Sequence, residues 1–406
     1  LARQIGAGRW GALAAGLIMG LCGQAVQSSF VTMSDIPALF WATLSGVILI
    51  HYRHDQKLRW IVLAALTLAI ACITRWIYLA LIPVWAAAVL ITWRRIRWRE
   101  SVAAAIAAGL ILIPQAAVSV HSPYPVLDHA WVEGWSPLNA FAHEFSNVDG
   151  HFVYPEINAQ YYAMPFYDAY FLAPIFTPFL LIGLWALRRK LVLLLLLLAW
   201  ALLPYLFLAG IPYQNIRFPL IVVPAVAALV GLGLHTAFTW RQRAAPLQPN
   251  RLLEIGRAMI FVAVVAVGLA LMGNIGRQNV RTFINNQQAD KTAVAWAIQH
   301  IPTGTRLYTF GVTEPLQIYS QLEVHELYDE TEASISDQLK DRKESYVFVN
   351  VWQIENQFAG HDLQKTFNWM YQYLGLQQLG QIGYYTLYKV IDEDLNAPAG
   401  VQQPSG

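Results

Sequence analysis

The sequence predicts an α-helical polytopic membrane protein with a small extracytoplasmic α/β domain at its C-terminal end. Of its 406 residues, 56% are hydrophobic and 13% are charged, whereas a soluble domain has just under half and about a quarter. Long apolar runs recur between residues 10 and 275, and every second connection between them is basic. These features exclude a soluble globular chain and a disordered one. The formal net charge of +2 gives no support for a nucleic-acid partner.

The predicted transmembrane domain covers residues 1–275 and contains nine apolar runs. A hydrocarbon core ~30 Å thick requires about 20 apolar residues per helix, with a range near 17 to 25. The run at 60–74 is the shortest of the nine. The runs lie at 10–31, 37–52, 60–74, 76–93, 101–120, 168–187, 191–208, 217–238 and 258–275.

Basic residues occupy the connections after the second, fourth, sixth and eighth runs. The intervening short connections contain only Arg75 and Arg217. By the positive-inside rule, the N-terminal end of the chain is cytoplasmic and the residues after 276 are extracytoplasmic, in a plasma membrane whose lipids surround the helices. The basic connections contain Arg53, Lys57, Arg59, Arg94, Arg95, Arg97, Arg99, Arg188, Arg189, Lys190, Arg241, Arg243, Arg251 and Arg257.

An outer loop at 121–167 is rich in proline, aromatic and ionisable residues. A loop of this length usually has a function. Its aromatic side chains are suited to stacking on sugar rings, and the competing interpretation is that they anchor the loop at the membrane interface. Its histidines, together with Glu144, fit no closed metal site by their spacing. These aromatic residues and histidines are Trp131, Trp135, Tyr154, Tyr161, Tyr162, His121, His129, His143 and His151.

Residues 285–392 are predicted to form the α/β domain, followed by a disordered tail at 393–406. The sequence of this domain contains no glycine-rich phosphate-binding loop, which argues against nucleotide binding. We expect the domain to cover a cavity or to contact an acceptor or a protein partner. Its predicted strands lie at 306–310, 323–327, 346–350 and in a pair near 378–390, and its predicted helices at 289–300, 333–342 and 363–373.

Asp35 lies where the first apolar run ends and the second begins, in Ser34-Asp35-Ile36-Pro37. Pro37 suits the first turn of a helix because its fixed φ is already helical. In one interpretation, Asp35 or Ser34 is a helix N-cap. In the other, Asp35 is a general base or a metal ligand at the rim of a cavity, and it is our candidate catalytic residue. The two roles are compatible.

Arg75 and Arg217 are the candidate substrate-binding residues. Arg75 separates the third and fourth runs, where a buried charge is costly without a partner, and the alternative is that it snorkels to the interface. Arg217 opens the eighth run after a very short outer connection. A guanidinium in this position is suited to bind a phosphate through paired hydrogen bonds, whereas a basic residue that only sets topology is expected on the inner side.

Four short motifs follow one another along the chain. They are Leu1-Ala2-Arg3, Ser34-Asp35-Ile36-Pro37 with Phe40 and Trp41, Thr74-Arg75-Trp76 with Ile82-Pro83, and Asn215-Ile216-Arg217-Phe218-Pro219 with Val223-Pro224-Ala225. In this order, the motifs resemble those of polyprenol-phosphate-dependent glycosyltransferases of the glycosyltransferase-C superfamily. That superfamily includes the dolichyl-phosphate-mannose protein mannosyltransferases and the aminoarabinose transferases of lipid A. The resemblance covers most of residues 1–392 and includes the alternating topology and the final α/β domain.

The resemblance implies inverting transfer of a sugar from a polyprenyl-phosphate donor to an acceptor at the extracytoplasmic face. Arg217 and Arg75 would neutralise the donor phosphate, including the charge that develops on it as the leaving group. Asp35 matches an acidic residue of the family that helps to place a divalent metal ion or the acceptor. The resemblance leaves open which sugar is transferred and whether the acceptor is a lipid, a glycan or a protein.

The hallmark acidic residue of this family, its likeliest base, lies in the first outer loop after the first helix. When the motifs of this chain are matched to those of the family, that loop falls before Leu1. We therefore expect that the chain lacks an N-terminal part, with an even number of spans if both Leu1 and the N-terminus of the family are cytoplasmic. If the chain is complete, the resemblance describes ancestry and not activity. The alternative function is a non-catalytic membrane scaffold that holds a partner protein or a lipid. A transporter is a weaker alternative because the polar candidates cluster at one face and no internal repeat is evident.

Overall fold

The computed structural model describes residues 1–31, 33–91, 98–121, 134–147, 149–244 and 251–391, which form two compact units. The first unit comprises Leu1–His143 and Tyr154–Val280, and the second comprises Glu144–Val153 and Arg281–Gly406. The second unit therefore includes a short piece of the predicted outer loop. The predicted tail at 393–406 lies outside the described residues.

The first unit consists of helices that follow the predicted apolar runs. Its 3₁₀ helices are Trp76–Leu81, Pro137–Phe141, Met164–Phe166, Pro174–Phe176 and Phe218–Ile221. Its α-helices are Ala2–Ile5, Arg9–Leu21, Gly23–Phe30, Asp35–Asp55, Leu58–Thr74, Ile82–Ile91, Trp98–Val120, Asn158–Tyr162, Thr177–Leu187, Leu191–Ala209, Val223–Ala244 and Arg251–His300, of which the last continues into the second unit.

Four of the described helices are long and apolar enough to cross a membrane, and a bent pair is a fifth candidate if its two helices form one span. Each predicted run overlaps one of these helices or one of four shorter apolar helices, while the number of true spans stays a prediction. The long helices are Asp35–Asp55, Trp98–Val120, Leu191–Ala209 and Glu254–His300, and the bent pair is Arg9–Leu21 with Gly23–Phe30. The shorter ones are Leu58–Thr74, Trp76–Ala88, Pro174–Leu187 and Val223–Thr239.

Two predicted boundaries differ from the structure. The run at 10–31 is not one straight helix, because its two halves meet at 54° around Cys22. The amide of Gly23 donates to the carbonyl of Tyr170 at 2.6 Å instead of continuing the helix. The last helix continues to His300, so the predicted helix at 289–300 is its final part. The residues after 276 are more polar than the apolar run, but they include no proline before His300, so the helix is not interrupted there.

Two glycines allow helix Val223–Ala244 to pack directly against the backbones of its neighbours. A methyl group on Gly231 would lie 2.4 Å from the carbonyl oxygen of Gly11, and one on Gly233 would lie 1.8 Å from that of Phe179. Both distances are far below van der Waals contact, so any larger residue would force the helices apart. This packing fixes the helix that follows Arg217.

The second unit contains a mixed five-stranded sheet. Its strands are β3 Arg306–Thr309, β4 Glu323–Glu326, β5 Ser345–Asn350, β6 Leu376–Ile382 and β7 Tyr385–Val390. The spatial order is β4-β3-β5-β7-β6, with β3 parallel to β4 and β5, and β7 antiparallel to β5 and β6. The predicted strands are all present, and the structure adds the helices Thr313–Tyr319 and Val351–Asn356 to the predicted ones at Glu332–Leu339 and Asp362–Tyr373.

The outer loop contributes an antiparallel hairpin to the second unit, with strands β1 Glu144–Asn147 and β2 Gly150–Val153. The amide of His151 donates to the carbonyl of Gln357 at 2.7 Å, and the Gln357 side chain donates to the carbonyl of Asp149 at 2.8 Å. The sequence analysis described this segment only as loop.

A charged network surrounds the start of strand β3 in the second unit. Arg306 is 4% exposed and donates to Glu323 at 3.1 Å and to Asp341 at 2.6 Å. Lys343 also forms an ion pair with Glu323, and His325 contacts it at 3.1 Å. Hydrogen bonds from Lys343, His325 and Arg306 lower the pKa of Glu323 to about 2.

Candidate functional site

Asp35 is the first residue of helix Asp35–Asp55 and is almost fully buried, with 2% of its surface exposed. Ser34 occupies the N-cap position but makes no capping hydrogen bond through its side chain. The Asp35 carboxylate instead contacts two guanidinium groups, those of Arg75 and Arg217. Its surroundings are therefore ionic, and the side chain does more than cap a helix.

Arg75 reaches Asp35 because the helix is interrupted at this residue. Helix Leu58–Thr74 ends, Arg75 is extended with φ −154° and ψ 117°, and a 3₁₀ helix starts at Trp76. The Arg75 Nε lies 2.8 Å from Asp35 Oδ1, and the side chain is 18% exposed. Its guanidinium also lies over the ring of Phe218, 5.8 Å from the ring centroid. Arg75 is thus an internal ion-pair partner and not an interfacial anchor.

Arg217 is the most accessible member of the group, with 30% of its side chain exposed. Its Nη1 lies 4.0 Å from Asp35 Oδ2 and 3.3 Å from the sulfur of Met33. The side chain of Asn215 accepts hydrogen bonds from the Arg217 backbone amide at 3.1 Å and from its Nε at 3.3 Å. The guanidinium is therefore oriented from one side, while part of it remains available to a ligand.

Asp35, Arg75 and Arg217 form one cluster, as the sequence analysis expected for a shared site. One carboxylate and two guanidiniums leave one net positive charge, because arginine stays protonated at any ordinary pH. Asp35 Oδ2 is buried and accepts no hydrogen bond from a described residue. The 4.0 Å that separates it from Arg217 is too long for a direct hydrogen bond. Because of its net positive charge, the cluster is suited to attract an anion.

The connection that carries Arg217 is tied to the segment after the outer hairpin. The Tyr162 hydroxyl donates to the carbonyl of Tyr213 at 2.8 Å and accepts from the amide of Asn215 at 3.2 Å. The fully buried Asn158 donates to the carbonyl of Ile211 at 2.8 Å. Burial raises the pKa of Tyr162 well above its ordinary value, which keeps the hydroxyl protonated. These contacts fix the position from which Arg217 projects.

The aromatic residues of the outer loop have different environments. Tyr162 is completely buried, so neither sugar stacking nor interfacial anchoring applies to it. Trp135 donates to the carbonyl of Phe207 at 2.8 Å and lies parallel to that ring, which attaches the loop to helix Leu191–Ala209. Trp131 lies outside the described residues. Sequence analysis missed Asn158, because nothing in a polar loop marks one asparagine as buried.

The described residues contain no group of three or more histidine, cysteine or acidic side chains that could hold a metal ion. Asp35 itself is poorly suited as a metal ligand, because two guanidiniums already compensate its charge. Of the residues considered earlier, His129 lies outside the described part of the chain. A divalent metal ion at Asp35 stays a prediction from the resemblance, and the contacts of this carboxylate do not favour it.

Residues 1–120 match the model of the family described as dolichyl-phosphate-mannose-protein mannosyltransferase. This segment contains Asp35 and Arg75, whereas Arg217 lies beyond it. No curated protein matches the chain.

Two solved structures of one bacterial protein share the fold. ArnT from Cupriavidus metallidurans bound to undecaprenyl phosphate is 15% identical, with a TM-score of 0.57 over 99% of this chain and 82% of that one. Its apo state is also 15% identical, with a TM-score of 0.55 over the same shares. The predicted fold class is thereby confirmed. The family match over residues 1–120 agrees with the resemblance found in the sequence. The apolar helices and this shared fold make the chain an integral membrane protein.

Proposed function

We propose that this protein is a membrane glycosyltransferase that transfers a sugar from a polyprenyl-phosphate donor to an acceptor at the extracytoplasmic face. The family match over residues 1–120 supports the reaction type. The fold shared with ArnT, which was crystallised with undecaprenyl phosphate, supports a lipid-linked donor. Both comparisons concern other proteins, so donor binding has to be explained by the residues of this chain.

The observation that carries the proposal is the convergence of Arg75 and Arg217 on the buried Asp35. A polyprenyl-phosphate sugar is a phosphodiester with one negative charge, which matches the single net positive charge of the cluster. Its lipid chain requires apolar surroundings, which helices in a membrane provide. A charged cluster at the ends of apolar helices can meet both requirements.

In the proposed reaction, Arg217 binds the donor phosphate because its guanidinium is the more exposed of the two. The acceptor hydroxyl oxygen forms a bond to the anomeric carbon while the bond from that carbon to the phosphate oxygen breaks. The leaving phosphate gains a second negative charge, and Arg217 and Arg75 stabilise it where it develops. The sugar is transferred with inversion and without a covalent intermediate.

Asp35 acts mainly by holding Arg75 in this proposal. Asp35 Oδ1 lies 2.8 Å from Arg75 Nε, so the carboxylate is engaged in an ion pair that orients this guanidinium. In this proposal, the acceptor proton passes to a separate acidic base, as the family resemblance implies. Asp35 as the base, its role in the sequence analysis, stays the alternative.

A transfer assay tests this proposal. Purified full-length protein is incubated with a panel of polyprenyl-phosphate sugars and membrane extract as the acceptor source. We expect sugar transfer and release of polyprenyl phosphate from at least one donor. Donor binding without transfer would favour the scaffold. If folded protein shows no donor binding and no transfer, both the donor site and the enzyme are rejected.

A further inference from the structure

A cavity of about 400 Å³ lies near the C-terminal end of helix Val223–Ala244, the helix that follows Arg217. It is formed by the start of helix Arg9–Leu21, the last turns of helix Val223–Ala244 and the start of helix Arg251–His300. His235 lines it, twelve residues after Val223, which corresponds to about 18 Å along a helix axis. The cavity is therefore separate from the proposed donor site, and its volume is in the range of small-ligand sites.

Two opposite charges line this cavity on one helix. Glu254 and Arg257 are three residues apart, so they lie on the same helix face one turn from each other. They form no ion pair with each other or with any other described residue. The remaining wall is mainly apolar and includes Phe238 and Phe261. A carboxylate and a guanidinium line one largely apolar cavity and form no ion pair with a described residue. They therefore fit a ligand that carries one positive and one negative charge.

The lining of the cavity and the exposed surface of helix Arg251–His300 have the character of a membrane interface. Trp10 lines the cavity and is 71% exposed, and tryptophan is enriched where lipid headgroups lie. Ile255, Met259 and Val262 are exposed on the same helix. Side chains of this kind face lipid in a membrane protein. A phospholipid can therefore reach the cavity from the surrounding bilayer while its acyl chains remain against these residues.

We propose that this cavity binds the headgroup of phosphatidylethanolamine. The phosphate would accept hydrogen bonds from the Arg257 guanidinium, and the primary ammonium would donate to the Glu254 carboxylate. A phosphatidylglycerol headgroup has no cation and leaves Glu254 facing an anion. The quaternary ammonium of phosphatidylcholine has no N–H to donate. This inference is independent of the proposed glycosyltransferase activity.

Native mass spectrometry of the purified protein tests the proposal. Protein in detergent is mixed with equal amounts of phosphatidylethanolamine, phosphatidylglycerol and phosphatidylcholine that differ in acyl-chain mass, and the retained lipids are counted. We expect phosphatidylethanolamine to be retained in preference to the other two. Because a basic residue near the surface contributes roughly 1 kcal/mol, Arg257→Gln should weaken its retention about fivefold.

Two further variants make the test specific. Glu254→Gln should remove the preference for phosphatidylethanolamine over phosphatidylcholine and increase retention of phosphatidylglycerol. Arg189→Gln is the matched control, because Arg189 is an exposed basic residue that does not line the cavity. The proposal is overturned if wild-type protein retains phosphatidylglycerol as well as phosphatidylethanolamine. It is also overturned if Arg257→Gln has no effect, or if Arg189→Gln has an equal one.

Discussion

Arg75 Nε and Asp35 Oδ1 lie 2.8 Å apart, with the Asp35 side chain only 3% exposed. The two residues belong to different helical segments, and each is placed at the point where its helix begins or ends. The pair therefore joins two helix ends and fixes the orientation of a guanidinium beside Arg217. Its loss should affect both stability and donor binding, and the two effects can be separated.

Asp35→Asn should lower the free energy of unfolding by about 3 kcal/mol, because it leaves the largely buried Arg75 charge without its partner. The double variant Asp35→Asn/Arg75→Gln removes both charges and should recover most of this loss while donor binding stays impaired. Unfolding in SDS and a donor-binding assay measure the two effects. A double variant no more stable than Asp35→Asn would show that the ion pair is not the source of the loss.

Tyr162→Phe should weaken donor binding without direct contact with the donor. It removes the hydroxyl that holds Tyr213 and Asn215, and one such hydrogen bond contributes about 1 kcal/mol. We expect the donor KM to rise about fivefold, with a smaller change in kcat. Tyr161→Phe is the control, because no hydrogen bond of its hydroxyl is among the contacts of the described residues. Equal effects of both variants would contradict a positioning role.

The chemistry of the charged cluster could be predicted from the sequence, but not its geometry. Asp35, Arg75 and Arg217 stand out because charges at the ends of apolar runs are costly without a partner. Which charges meet depends on helix packing, including the contact of Gly233 with the Phe179 carbonyl, which leaves no periodic signal.

Tertiary contacts also explain the features that sequence analysis missed. The bend at Cys22 depends on a hydrogen bond from Gly23 to Tyr170, which is distant in sequence. The strands of the outer hairpin are only four residues each, too short for a clear alternating pattern. Local propensity cannot supply information of this kind.

Acid should destabilise the second unit through Glu323. Its neighbours lower its pKa from 4.5 to about 2, so folding favours the charged form. The stabilisation is complete above the unfolded pKa and is lost as the pH falls from about 4.5 towards 2. Glu323→Gln should flatten this part of the profile of apparent Tm against pH. Asp362→Asn should change the profile much less, because solvent screens the exposed ion pair of Asp362 with Lys365. An unaltered profile in Glu323→Gln would exclude Glu323 as the source of the acid sensitivity.

Single cysteines should reveal the predicted orientation. Cysteines at Ser122 and Ser336 should react with a membrane-impermeant thiol reagent added outside intact cells, whereas one at Gln56 should react only after permeabilisation. Native Cys22 and Cys72 are buried, so their background should be low. Labelling of Gln56→Cys alone in intact cells would invert the topology.

The most direct test of the central claim is donor binding and transfer by variants of Arg217. A charge-assisted hydrogen bond contributes roughly 1.5 to 3 kcal/mol, so Arg217→Ala should weaken donor binding about 10- to 100-fold. The donor affinity of Arg217→Lys should lie between those of wild type and Arg217→Ala, because lysine keeps the charge but lacks the planar guanidinium. Arg277→Ala, which removes an exposed guanidinium elsewhere in the first unit, should behave as wild type. Unchanged donor binding and transfer by folded Arg217→Ala would contradict the account.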